Sequence, residues 1–202
     1  MFDAPARRVI AQVITGPTRA LGRLGISPNM LSVCGAVMGV GSALLVARQR
    51  PLLGLVVWLV SRVIDGMDGI LARETNQATP FGGYLDITLD MVAYSAMLVG
   101  FAFIHPEGGW VWAAILVGYL LVTTTTLALS SVLEREQANI RENDRSLQFT
   151  PGFAEAGETT IVYALFALLP AFVTPIGWIW AAVCAATVVQ RTLLAHKLLH
   201  KV

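Results

Sequence analysis

Four aspartates carry the chemistry that this sequence can do. Asp65, Asp68, Asp86 and Asp90 fall in one 26-residue window of a 202-residue chain with only thirteen acids. Asp65 and Asp68 are three apart, and Asp86 and Asp90 are four apart, so each pair shares one face of a helix. The connection between the pairs is short enough to make the two helices antiparallel neighbours, with all four carboxylates facing one space. Ionised acids in membrane helices are expensive and usually functional. Charges that merely snorkel to water would not need two pairs at helical spacing. Facing one another, the four repel unless cations sit between them. An all-oxygen donor set suits hard divalent ions, Mg²⁺ or Mn²⁺, and four carboxylates have room for two. Such a metal pair stabilises the attacking and leaving oxygens of a phosphoryl transfer. Arg73, one to two turns beyond Asp68, is placed to neutralise a diphosphate. Gly69, Ala72 and Gly82 are small: they either let a nucleotide approach closely or let helices pack.

The elements that must position these groups are membrane helices. Hydrophobic residues make up 55% of the chain and charged ones 13%, where a soluble domain carries about 25% charged. That balance excludes a disordered chain, a nucleic-acid binder with a basic surface, and a water-soluble globule. The net charge is +1. Cutting the chain at charges, Gly/Pro clusters and helix-start signals predicts six spans, at 29–47, 51–72, 83–104, 110–133, 157–173 and 176–198. Each is near the roughly 20 residues that a bilayer core requires. Ser27-Pro28 and Thr174-Pro175 offer a capping hydroxyl before a proline suited to the first helical position, and Pro51 opens the second span. Residues 105–109 read as a tight polar turn. Trp110, Trp112, Trp178 and Trp180 stand near span ends, where interfacial indoles are expected. Cys34 and Cys184 lie in apolar runs and read as small packing residues.

Residues 4–23 read as an amphipathic interfacial helix. Val9, Ile10, Val13 and Ile14 share a face, and Arg7, Arg8, Arg19 and Arg23 suit an anionic leaflet. No signal peptide is visible. Six spans put both termini on one side, together with Arg73, Arg135, Arg141, Arg145, Lys197 and Lys201. The positive-inside rule makes that side cytoplasmic, with Arg48 and Arg50 opposite. One membrane domain over 1–202 accounts for the chain, its six-helix transmembrane bundle running over 29–198.

Residues 65–90 match the pattern D-x2-D-G-x2-A-R-x8-G-x3-D-x3-D at every fixed position and both spacers. The sequence therefore resembles the CDP-alcohol phosphatidyltransferases. The layout of a basic amphipathic helix and six spans is also similar, and residues 25–32 look like that family's start of the first span. The resemblance implies a CDP-linked lipid donor, usually CDP-diacylglycerol. An alcohol hydroxyl attacks the lipid-side phosphorus and CMP leaves. It implies Asp65, Asp68 and Asp86 as ligands to two metals. Asp90 would lie nearest the attacking hydroxyl, as general base and also as a ligand. It implies a CDP site lined by Gly69, Ala72, Arg73 and Gly82, with Thr79 reaching the nucleotide and Asn29 and Ser32 touching phosphate. A homodimer in the cytoplasmic membrane of a bacterium or archaeon is the matching expectation, with no nucleic-acid partner.

The acceptor alcohol stays open. Family members that use phosphorylated acceptors carry a Ser-Tyr-x-Lys-Ala-Arg-like segment at the end of the fourth span. Residues 130–135 here read Ser-Ser-Val-Leu-Glu-Arg, with Leu133 where lysine is expected. Arg135, Arg145 or Arg191 would then compensate, although Arg191 also reads as a charge snorkelling to headgroups. Glu155 and Glu158, followed by Thr159 and Thr160, either line an acceptor cavity or simply suit a helix N-terminus. His105, His196 and His200 read as surface residues, and 136–148 as a mobile cytoplasmic loop. Two other readings compete. A Mg²⁺-dependent intramembrane prenyltransferase also uses aspartates to hold a diphosphate, but carries two distant motifs and about nine spans. A divalent-cation transporter would spread its acids over several helices near mid-membrane, whereas these bunch on one hairpin beside an arginine.

Overall fold

The computed structural model describes Gly16, Thr18, Gly22 and residues 24–139 and 152–199. The expected interfacial helix over 4–23 falls almost wholly outside the described residues, as do Arg141, Arg145, His200 and most of the 136–148 segment. Among the described residues six α-helices follow in order: α1 (Pro28–Ala47), α2 (Pro51–Glu74), α3 (Pro80–Ile104), α4 (Trp110–Asn139), α5 (Ala156–Leu168) and α6 (Val173–Leu199). Short 3₁₀ turns, Pro106–Gly108 and Pro170–Phe172, precede α4 and α6. No strand occurs among the described residues.

Helix starts follow local chemistry. The Ser27 hydroxyl accepts from the Met30 N–H at 3.3 Å, with Pro28 in the first turn. Thr79 does the same for α3, accepting from the Gly82 N–H at 3.0 Å ahead of Pro80. This hydroxyl–proline start sets α3 three residues earlier than the predicted 83. Thr174-Pro175 does not work that way: α6 already begins at Val173. The first four residues of the expected loop at 136–148 continue α4.

Four helical stretches, Pro28–Ala47, Pro80–Ile104, Trp110–Arg135 and Pro170–Leu199, are long and apolar enough to cross a membrane. α2 is long enough but carries Arg62, Asp65 and Asp68 from its middle onward. α5 has 13 residues, about 20 Å against a hydrocarbon core of about 30 Å.

The described residues form two compact units. The first runs up to Glu107 and adds Tyr163–Pro170. In it α1 packs along both α2 and α3. The expectation that α2 and α3 are direct neighbours is thus modified: both lean on α1, and long side chains bridge them. Glycines permit this closeness. A Cβ on Gly54 would stand 2.8 Å from the Ser42 carbonyl oxygen, and one on Gly100 2.7 Å from that of Ala43. Trp58, Tyr94, Phe101, Tyr163 and Phe166 build an aromatic core, with Trp58 edge-on to Tyr94 at 5.0 Å and to Tyr163 at 5.3 Å.

The second unit takes Gly108–Val162 and continues from Ala171. There α4 packs on α6. Cys184 is buried against the Cα side of Gly118, as its packing reading expects. Cys34, in the first unit, departs from that reading, since it lies on the exposed face of α1. The tryptophans also divide. Trp110 and Trp178 are exposed, but Trp112 and Trp180 are buried, and the Trp180 indole N–H donates to the Tyr119 hydroxyl at 3.1 Å. His105 has only 15% of its side chain exposed and lies 2.8 Å from a Glu107 carboxylate oxygen, so it is not a plain surface residue.

Candidate active site

Everything that positions the aspartates belongs to the first unit. Asp65 and Asp68 lie on the last turns of α2, and Asp86 and Asp90 on the first half of α3. At the end of α2, Thr75 donates its hydroxyl to the Leu71 carbonyl at 2.8 Å. Asn76 then takes a left-handed φ of 55°, a conformation that asparagine tolerates, and the chain reverses toward α3. Leu31, Met67 and Leu71 are buried together beneath this end of the helices, so Asp68 rests on an apolar base.

One carboxylate oxygen each from Asp65, Asp68 and Asp86 lies within 4.8 Å of the other two. The cluster is half to fully buried, which weakens solvent screening of three like charges. The donor set is hard oxygen only, and its spacing fits around divalent cations. The Ser32 hydroxyl donates to Asp68 Oδ2 and orients it. That is the contact of an outer partner to a metal-binding carboxylate, whereas the sequence reading put Ser32 on a phosphate. Asp90, the fourth predicted carboxylate, is turned to Arg62 instead, whose Nη1 donates to Asp90 Oδ1 and lies 3.5 Å from Asp65 Oδ2.

A cleft of about 230 Å³ opens beside the cluster. Asp68 and Asp86 form part of its wall, and all seven residues expected around the nucleotide line it: Asn29, Ser32, Gly69, Ala72, Arg73, Thr79 and Gly82. The Arg73 guanidinium folds back over Gly69, where a Cβ would meet Nη1 at 3.4 Å. At Gly82 a Cβ would stand 3.2 Å from Asn29 Oδ1 and 3.3 Å from Thr79 Oγ1, so any larger residue narrows the cleft. Thr79 uses its hydroxyl as the α3 cap. A cleft of this size with a guanidinium and carboxylates converging on one edge can hold a diphosphate beside metal ions.

Sequence reasoning passed over some of this site. Gln77, Ala78 and Gly83 also line the cleft; the first two stand inside the eight-residue spacer and Gly83 directly after Gly82, and that position was the available signal. Arg62 takes no part in the sequence reading above. Its place three residues before Asp65 on an apolar helix was the clue. Residues set aside as acceptor candidates lie in the second unit. Arg191 Nη1 donates to the Val122 carbonyl at 2.9 Å and to the Thr126 hydroxyl, so it is bonded inward rather than snorkelling. Glu155 accepts from the Gly152 N–H at 2.8 Å, and Glu158 sits in the first turn of α5, as the helix-start reading expects.

Known proteins resemble this chain in sequence and in fold. The chain is similar to inner membrane protein YnjF of Escherichia coli, with 33% identity over 95% of this chain and 93% of that one. It is similar to the archaetidylinositol phosphate synthase of Pyrococcus horikoshii, with 30% identity over 89% and 88%. In fold it resembles the Mycobacterium tuberculosis phosphatidylinositol phosphate synthase solved with CDP-DAG bound, with a TM-score of 0.73, 23% identity, and coverage of 91% of this chain and 94% of that one. Another structure of that synthase contains manganese and citrate. Apolar helices and an inner-membrane relative agree on an integral membrane protein. The CDP-alcohol phosphatidyltransferase signature matches residues 25–190, which include the whole aspartate pattern and the cleft, and the chain therefore belongs to that family of enzymes.

Proposed function

We propose that this enzyme transfers a phosphatidyl group from CDP-diacylglycerol to the hydroxyl of a polar alcohol and releases CMP, with dependence on two divalent cations, Mg²⁺ or Mn²⁺. The observation that carries the reading is the convergence of Asp65, Asp68 and Asp86 at the edge of the cleft lined by Gly69, Ala72, Arg73 and Gly82. Those three aspartates, with Asp90, would hold the ions, which when bound supply Lewis-acid stabilisation of phosphoryl and leaving-group oxygens. Arg73 counters the diphosphate charge, and the small residues let the nucleotide lie close. Asp90 accepts the proton of the acceptor hydroxyl. The acceptor oxygen bonds to the lipid-side phosphorus, the bond from that phosphorus to the bridging oxygen breaks, and the electron pair leaves with CMP. The names of the synthase relatives favour an inositol phosphate among acceptors, while Leu133 weighs against a phosphorylated one.

The same proposal makes the chain one functional domain of six spans. Both termini and the cleft face the cytoplasm, where the soluble alcohol and CMP exchange. It acts as a homodimer. Neither the prenyltransferase nor the transporter alternative gains support from the cleft or the relatives.

The test is a transfer assay on purified protein in liposomes with CDP-diacylglycerol and Mn²⁺ or Mg²⁺. Serine, glycerol phosphate, inositol, inositol phosphate, choline and ethanolamine are supplied one at a time, and CMP and new lipid are followed by mass spectrometry. One acceptor gives a new lipid, and Asp90→Asn lowers its rate by about 10² to 10⁴-fold. Folded protein that releases no CMP with any of the six would overturn the donor assignment.

A further inference from the structure

Nine glycines stand in α1, α2 and α3, and most are explained by what a side chain there would strike. A Cβ at Gly35, Gly39, Gly54 or Gly100 would press on a neighbouring helix, and one at Gly69 or Gly82 on polar side chains of the cleft. Three are left over: a Cβ at Gly41, Gly66 or Gly83 would meet nothing within 4 Å. Of these three, Gly83 lines the cleft.

Neither conformation nor packing requires a glycine at 83. Its φ is not in the left-handed region, and its N–H donates to the Thr79 carbonyl at 3.2 Å as an ordinary main-chain bond of α3. Glycine inside a helix is less favourable than alanine, because its backbone has more freedom to lose. The fold gains nothing from this residue, so its use lies in the empty space that it borders. Along the α3 axis Gly83 stands about 4.5 Å before Asp86 and about 6 Å after Thr79. That is between the acidic edge of the cleft, where the diphosphate is read to lie, and the turn at Gln77 and Ala78. In a nucleoside diphosphate the group next to the diphosphate is the sugar.

We propose that Gly83 is a specificity-determining residue for the donor, its bare main chain forming the wall against which the sugar of the CDP group lies. A side chain at 83 takes the volume of that sugar without touching the protein. The inference rests on the reading of the cleft as the nucleotide site, and adds to it the residue that sets the width at the sugar. Gly41 is the matched control: it is also helical and borders empty space, but lies on α1 outside the cleft lining.

The experiment uses the full chain in detergent with Mn²⁺, and compares Gly83→Ala, Gly83→Leu and Gly41→Ala with the native chain. Readouts are CMP binding by calorimetry, KM for CDP-diacylglycerol with the alcohol that gives lipid in the panel above, Mn²⁺ affinity by electron paramagnetic resonance titration, and thermal melting. Gly83→Ala melts no lower than the native chain, yet weakens CMP binding and raises KM by about tenfold, within the range that one added carbon makes in a closely fitted pocket. Gly83→Leu does so by about 10²-fold or more, and Mn²⁺ affinity is unchanged in both. Gly41→Ala also melts no lower, and binds CMP and donor as the native chain does. Native CMP binding and KM in Gly83→Leu would overturn the assignment. So would a raised KM at unchanged CMP binding, which places the contact on the lipid side. Weakened CMP binding together with a lower melting temperature or altered Mn²⁺ affinity would make the residue structural and overturn it as well. A native chain that binds no CMP would instead overturn the nucleotide reading of the cleft. If Gly83→Leu does not purify, Gly83→Ala decides alone by the same readouts.

Discussion

Each of the two compact units encloses a guanidinium, and they use it differently. In the first unit Arg62 is bonded to carboxylates and lies against two aromatic rings. In the second, Arg191 donates to a backbone carbonyl and a threonine hydroxyl, both neutral. Their glycines differ as well. Cβ atoms at Gly54 and Gly100 would strike backbone carbonyl oxygens. Cβ atoms at Gly118 and Gly177 would strike side chains, Cys184 and Val111. The first unit therefore clamps main chain on main chain and pairs its buried guanidinium with two carboxylates. The second uses side-chain packing and hydrogen bonds that tie α4 to α6. Charge in the first unit is arranged for chemistry, whereas the Arg191 bonds are arranged for cohesion.

Three substitutions break or sharpen that contrast. The largest effect belongs to Asp68→Asn. Mn²⁺ affinity falls by more than the 10–100-fold or so that loss of an outer partner causes, and CMP release falls with it. In the native chain, Mn²⁺ at about 100 times its Kd raises stability by about 2.7 kcal/mol, and chelation removes this gain; in Asp68→Asn, thermal melts no longer respond to the ion. Arg191→Met comes next. It removes the two hydrogen bonds by which α6 holds α4 at Val122 and Thr126 and costs about 1–3 kcal/mol of stability, read from denaturant unfolding. Its Mn²⁺ titration matches that of the native chain; a shifted titration would break the division between the units. The smallest is Thr79→Ala, which removes the α3 cap for about 1 kcal/mol, with Thr79→Ser restoring it. A large rise in KM for CDP-diacylglycerol without loss of helix stability would show that this hydroxyl serves the nucleotide more than the helix.

Much of the site was legible because helical spacing is short-range. Carboxylates three and four residues apart must share a face, and a proline after a hydroxyl residue starts a helix at Ser27, whereas the same pair at Thr79-Pro80 was passed over in favour of a start at 83. Positions decided by tertiary neighbours were not legible. Arg62 reads as an isolated charge until Trp58 and Asp90 are brought to it from two helices. Trp112 and Trp180 look interfacial by position, but helices that are apolar nearly all round do not reveal which face is inside. Thr174-Pro175 repeats a start signal inside a helix that a 3₁₀ turn has already begun. Three aspartates cluster while Asp90 pairs with Arg62, a grouping that spacing alone could not express. The reliance of α2 and α3 on α1 was hidden too, since the glycines that permit it sit on all three helices.

The brevity of α5 bears on the bilayer itself. At about 20 Å it falls some 10 Å short of an average hydrocarbon core. Under the six-span proposal, a membrane meeting such a helix thins locally or lets headgroups dip toward its ends, at a cost of fractions of a kcal/mol per ångström of mismatch. Acyl-chain length in the host membrane thus becomes a physical variable for this protein: thin bilayers accommodate α5 with little deformation, and thick ones strain against it.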